Sequence, residues 1–104
     1  MPAPADAELR IDDDGQVELA GRLDLASIAG LAARGSELFA GRDRVTVDLV
    51  NVTRADSGAL ALLLDWQRTA RRSGCRLGFR NVPPTLCAIA EVCGVDVLLA
   101  LEPA

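Results

Sequence analysis

Histidine, lysine and tyrosine are all missing from this chain of 104 residues. Without His or Lys a serine hydroxyl has neither of its usual activating bases, so Ser57 and Asp56 are not two thirds of a Ser-His-Asp triad. Aromatics are limited to Trp66, Phe39 and Phe79. The arginine-rich run Arg68, Arg71, Arg72, Arg76, Arg80 therefore lacks the interleaved rings that stack bases, and reads first as a solvated face. With 15 acidic residues against 11 basic ones the net charge is -4, which argues against nucleic acid as a partner. Cys75, Cys87 and Cys93 form no C-x-x-C pair, so neither a disulfide framework nor a zinc site is suggested. They are expected to be small buried hydrophobes in a reducing compartment. No apolar run approaches the roughly 18 residues of a membrane span, and the opening MPAPADAELR has no signal-peptide pattern. The expectation is a cytoplasmic protein with no direct membrane insertion.

Half of the residues are apolar, mostly Ala, Leu and Val, enough for one small core. The organisation expected is a frayed N-terminus over residues 1–7 and a single domain over 8–104. Residues 8–11 and 16–20 flank the turn-like DDDG, a hairpin in which Gly15 supplies a positive φ; the second strand ends at Gly21. Asp24 is placed to cap a helix over 25–40, with Ile28, Leu31 and Ala32 on one stripe. RVTVDLVNV alternates as a strand with one covered face. A long helix follows over 57–72, stopped at Gly74, and CRLGFRN is the next strand. NVPPT introduces a helix capped by Thr85 or begun by a Pro, ending at Gly94. The tail VDVLLALEP reads equally as a short strand or a turn of helix. This β-β-α-β-α-β-α order implies an α/β fold with right-handed crossovers onto a mostly parallel sheet.

The long helix carries two apolar stripes, Leu60, Leu63 and Leu64 on one and Ala59, Leu62 and Trp66 on the other. A helix on one sheet face buries one broad stripe, so the second needs another cover, either further burial or a partner. At its start, NVTRADSGALALLL places Ser57 where orphan backbone N–H groups and the dipole favour an anion, whether a phosphate on the hydroxyl or an acceptor from a partner. The simpler role is an N-cap by Asp56 or Ser57. No phosphate-cradling glycine motif follows a strand, no cofactor or metal is implied, and Asp48 with Asp56 is weak evidence for carboxylate catalysis.

Together AGRLDLAS, VTVDLVNVTRADSGALALLL, RRSGCRLGFRNVPP and the following L-x-x-I-A-E-V-x-G resemble the STAS domain family. That family includes anti-sigma-factor antagonists, the cytoplasmic domains of sulfate transporters and the MlaB-like subunit of lipid-transporting ABC systems. The resemblance implies a small mixed sheet of four to five strands with helices mainly on one face, and no enzyme activity. It also implies a partner site at the loop before the second helix and that helix's N-terminus. Nucleotide binding, associated with some members, has no support in these residues.

Phosphorylated antagonists carry D-S-[ST]-G with the second hydroxyl modified. An ungapped alignment puts Gly58 there, whereas a one-residue gap makes Ser57 the candidate phosphoacceptor. The MlaB-like D-T-G-G-L-A-L-L-L instead matches D-S-G-A-L-A-L-L-L with Ser57 on the Thr. The resemblance thus implies an accessory protein that binds and stabilises or regulates the ATPase subunit of a phospholipid-transporting ABC complex, held at the inner face of a membrane through that complex. Asp56, Ser57, Gly58, Ala59, Leu62 and Trp66 are its expected partner-binding residues, with Leu62 and Trp66 as apolar anchors. The alternative is an antagonist that captures an anti-sigma factor with serine kinase activity and is controlled by phosphorylation of Ser57.

Overall fold

The fold is described from a computed structural model, which covers residues 7–12, 14 and 16–103. Asp13 and Gly15 of the expected turn, and all of the N-terminus expected to be frayed except Ala7, lie outside the described residues.

Strands β1 (Glu8–Ile11), β2 (Gln16–Leu23), β3 (Arg44–Ala55), β4 (Arg76–Val82) and β5 (Leu101–Pro103) form one sheet in sequential order. β1 and β2 are antiparallel and every later pair is parallel. The helices are α1 (Leu25–Ala33), α2 (Gly35–Phe39), α3 (Ser57–Arg72) and α4 (Pro84–Val92). The alternation read in β3 is realised: Val45, Val47 and Leu49 are buried, while Thr46 and Asp48 are half-buried on the opposite face and Val50 is exposed. Val17, Leu19, Leu77 and Phe79 extend the covered face across the neighbouring strands.

The hairpin is closed by a device the turn composition did not reveal. Asp12 Oδ1 accepts the N–H groups of Asp14 at 3.0 Å and Gln16 at 2.9 Å. β2 does not stop at Gly21 but continues to Leu23 through a shift of register between Gly21 and Arg22, with Gly21 at φ +87. A residue free to take that conformation lets the strand bend without ending. At the other end of the chain the ambiguous tail is both things in turn, a 3-10 turn at Asp96–Leu98 followed by β5. Pro84, not Thr85, occupies the start of α4.

The largest correction concerns the 25–40 helix, which divides at Arg34, and the second stripe of α3, which is not open. Leu62, Trp66 and Ala59 are each 0% exposed, like Leu63 of the first stripe. The α1–α2 pair supplies the missing cover. The Trp66 Nε1–H group donates to the Leu31 carbonyl of α1 at 3.0 Å, and that same carbonyl accepts Arg34 N–H at 3.1 Å. A side chain that takes a carbonyl from the helical ladder bends or breaks the helix there. Phe39 of α2 meets the indole edge-on, with ring centroids 6.2 Å apart and an interplanar angle of 85°. Gly35, which looks like a weak helix residue in the sequence, is required by this contact: a Cβ there would lie 2.9 Å from Trp66 Cδ1.

The sheet face away from the helices is polar and ordered by register. Arg10 opposes Glu18, Glu18 opposes Asp48, and Asp48 opposes Arg80, placing four charged residues in one row across four strands. Arg80 bonds Asp48 Oδ2 through both Nε (3.3 Å) and Nη2 (3.2 Å), and Asn81, at φ +54, donates to Oδ1 at 2.9 Å. The arginine run of the sequence is therefore split between α3, the start of β4 at Arg76, and Arg80 in this row. Burial pushes the Asp48 carboxyl up, but the bonds from Asn81, Val50 N–H and Arg80, with the Arg80 charge, together hold it below the ordinary aspartate value.

Two outcomes follow. Trp66→Ala should cost about 3–5 kcal/mol in urea unfolding, the range for deleting a large core aromatic. A depressed folded-state pKa gives stability that is present above the unfolded value and lost as pH falls through the folded one. Asp48→Asn should accordingly be less stable than the parent at neutral pH and show a shallower loss of stability below about pH 4, measured by unfolding at a series of pH values.

Candidate partner-docking site

β3 delivers the chain to Asp56, whose extended backbone (φ -117, ψ -166) sets it as the N-cap of α3. Its Oδ1 accepts Gly58 N–H at 2.8 Å, and its carbonyl accepts Ala59 N–H at 3.0 Å. Asp24 does the same for α1 and adds a reciprocal bond: Ser27 N–H donates to Asp24 Oδ1 and Asp24 N–H donates to Ser27 Oγ, both at 3.2 Å. Of the two cap residues read from the sequence, Asp56 is the cap and Ser57 is not. Ser57, the first residue of α3, is exposed, and its hydroxyl has no hydrogen-bond partner among the described residues.

Gly58 is buried, and the reason is α1. A Cβ at this position would stand 2.5 Å from Ile28 Cδ1, 2.9 Å from Asp56 Oδ1 and 3.4 Å from Leu25 Cδ2. The first turns of α1 and α3 are therefore packed through this glycine, which brings two helix N-termini to one end of the molecule. The room at Gly58 is taken by the protein's own α1, so it is not the place where a partner backbone approaches. A hydroxyl-bearing side chain at 58 would have to displace Ile28.

The same contact identifies a residue that periodicity concealed. Leu25 lies one turn before Ile28, on the stripe of α1 that faces the core, yet it is 81% exposed. As the first residue of the helix it overhangs the end of the packing instead of entering it. Leu25 and Ser57 thus flank Gly58, one offering apolar surface and the other a solvent-exposed hydroxyl with no hydrogen-bond partner among the described residues. Arg22 and Arg54, paired in register at the ends of β2 and β3, lie just before the two caps and are exposed.

Of the six residues expected to bind a partner, the structure keeps Asp56 and Ser57 at the surface. Gly58, Ala59, Leu62 and Trp66 are buried; Leu62 and Trp66 are not available as apolar anchors because α1 and α2 cover them. Asp48 and Asp56 make separate commitments, the first to Arg80 and Asn81 and the second to the α3 cap. Cys75 is buried and Cys87 half-buried, and burial pushes both thiols up, away from reactive thiolate. Cys93 is exposed, contrary to the expectation of a buried hydrophobe. No group of three or more His, Cys, Asp or Glu side chains among the described residues is placed to hold a metal ion. None of the described helices is long and apolar enough to cross a membrane.

The cap and the close approach can be separated by mutation. Asp56→Ala should cost about 1 kcal/mol through the lost N-cap, and Gly58→Val about 1–3 kcal/mol by overpacking. Ser57→Ala should stay within about 0.5 kcal/mol of the parent. Chemical denaturation of the three variants is the measurement.

Comparison with known proteins agrees with the fold. The fold superposes on an anti-sigma factor antagonist from Mycobacterium paratuberculosis with a TM-score of 0.80 and 20% identity, covering 100% of this chain and 92% of that one. The phosphorylated form of the Bacillus cell fate determinant SpoIIAA gives 0.69 and 18%, over 94% and 90%. An anti-sigma-factor antagonist (STAS) domain protein from Planctomyces limnophilus gives 0.69 and 14%, over 96% and 92%. At these identities the likeness establishes the fold. A search of the curated proteins finds no match. The family model described as the MlaB STAS domain matches residues 8–101, nearly the whole chain, and on that match the protein belongs to the STAS domain family.

Proposed function

We propose that this protein is a non-catalytic accessory subunit that binds the cytoplasmic ATPase of an MlaB-type phospholipid-transporting ABC complex and stabilises or regulates it. The observation that carries the reading is the elbow itself. A capped helix start presents an unpaired Ser57 hydroxyl beside exposed Leu25, with Gly58 locked beneath them by Ile28. The match to the MlaB-type STAS domain supports the choice of partner. So does the glycine where antagonists carry their modified hydroxyl. In this reading Ser57 gives and accepts a hydrogen bond at the interface, Leu25 fills an apolar pocket of the ATPase, and Asp56 keeps the helix end rigid. A pre-formed patch spends little ordering entropy on binding, which suits a small subunit with a standing partner.

A second reading rests on the same exposed hydroxyl. A phosphate on Ser57 would sit at the N-terminus of α3, where the dipole favours it, with Arg22 and Arg54 nearby. The protein would then act as an anti-sigma-factor antagonist released from its kinase partner by modification.

Co-expression with the ABC ATPase encoded nearest to this chain distinguishes the two. A stable complex should co-purify, and Ser57→Asp and Leu25→Asp should each weaken it by at least about tenfold, or about 1.4 kcal/mol, while both variants remain folded. A complex equally tight in both variants would place the interface elsewhere. Phosphate found on Ser57 by mass spectrometry after incubation with an anti-sigma-factor kinase and ATP would favour the antagonist reading.

A further inference from the structure

A second surface lies toward the other end of α3. Between the outer stripe of that helix and the 3-10 turn at Asp96–Leu98 runs an open groove of 410 Å³. Its apolar lining is Leu64, Val95 and Leu98, the last 48% exposed, and the adjoining Val97 is 84% exposed. Arg68, Arg71 and Arg72 line the same groove. None of the three pairs with an acidic group among the described residues, whose ion pairs involve Arg10 and Arg80. Favourable interaction with the C-terminal dipole accounts for Arg71 and Arg72 being tolerated there, but not for Arg68 or for the apolar floor.

One more group in the groove is unsatisfied. The side-chain oxygen of Gln67 is buried and accepts no hydrogen bond among the described residues. A buried acceptor left unmade is costly, and native proteins rarely keep one without a use. Gln67 as a whole is half-buried and lines the groove.

From these features we infer that the groove binds an acidic amphipathic helix of a partner protein. The three unpaired guanidinium groups call for carboxylates, the floor of Leu64, Val95 and Leu98 calls for aliphatic side chains, and the Gln67 oxygen calls for an N–H or O–H donor. An anionic lipid surface meets the first requirement, but a flat bilayer does not seat in a groove between α3 and the 3-10 turn as a helix does. The stretch from Leu64 to Arg72 spans about 12 Å of helix axis, enough to receive two turns of a second helix. This groove is centred about 16 Å along α3 from Ser57, so occupancy here does not depend on the docking assigned to the elbow.

The test uses the full chain, 15N-labelled, titrated with a synthetic peptide of about three helical turns carrying Leu at i, i+3, i+4 and i+7, one Gln to meet the Gln67 oxygen, and Glu elsewhere. Shifts should concentrate at Leu64, Gln67, Arg71, Val95 and Leu98. Arg68→Glu with Arg71→Glu, both exposed positions, should weaken binding at least about tenfold, and salt should weaken it in the parent. The inference is overturned if millimolar peptide produces no localised shifts, or if a peptide with Lys in place of Glu binds as well. It is equally overturned if the Leu/Glu peptide fails while vesicles containing phosphatidylglycerol sediment the parent but not the double variant, which would make the surface a lipid-binding one.

Discussion

The rest of the architecture depends on one hydrogen bond and the packing around it, the donation from the Trp66 indole to the Leu31 carbonyl. A tryptophan buried in a small core must satisfy its N–H group, because an unmade donor there would cost more than the bond contributes. By taking a carbonyl of α1 it stops that helix at Arg34 and turns the chain into α2. The turn carries Phe39 against the ring and brings Gly35 to a distance that no side chain would permit. The helical layer is thereby fixed relative to α3, and α3 in turn fixes the position of the elbow at its N-terminus.

That dependence links stability to the candidate site at long range. Ile28 and Leu25, on the first turns of α1, pack at Gly58 while the later part of the same helix is held by Trp66. A loosened indole would therefore relax the contact that places Leu25 beside Ser57, without touching either residue. Trp66 thus supports the proposed docking surface from beneath, and does not form part of it.

Most of the frame could be read from the sequence because its signals are local. Alternation in β3, the Asp24 and Asp56 caps and the breaks near Gly74 and Gly94 each involve residues a few positions apart, and each appears where expected. The extra stripe of Ala59, Leu62 and Trp66 was visible too, but what covers it was not. Helical periodicity says which residues share a face and is silent on whether the neighbour is solvent, a partner or the chain's own α1 and α2. Leu25 fails in the opposite direction: its stripe faces the core, but at the end of the helix it is left exposed. The caps at the elbow were legible and its apolar component was not, since exposure at a helix end is a tertiary property.

The sheet borders have a further consequence. β1 offers four residues and β5 three, the latter ending in Pro103, whose nitrogen has no hydrogen to donate. Short borders of this kind give a stray strand little to lengthen, and the charged row across the outer face discourages another sheet from stacking on it. Recruitment by continuing the sheet therefore finds few backbone groups to pair with at either margin. Side chains on the helical layer offer a different kind of surface, where specificity is set by individual residues and not by backbone ladders that any extended chain could complete.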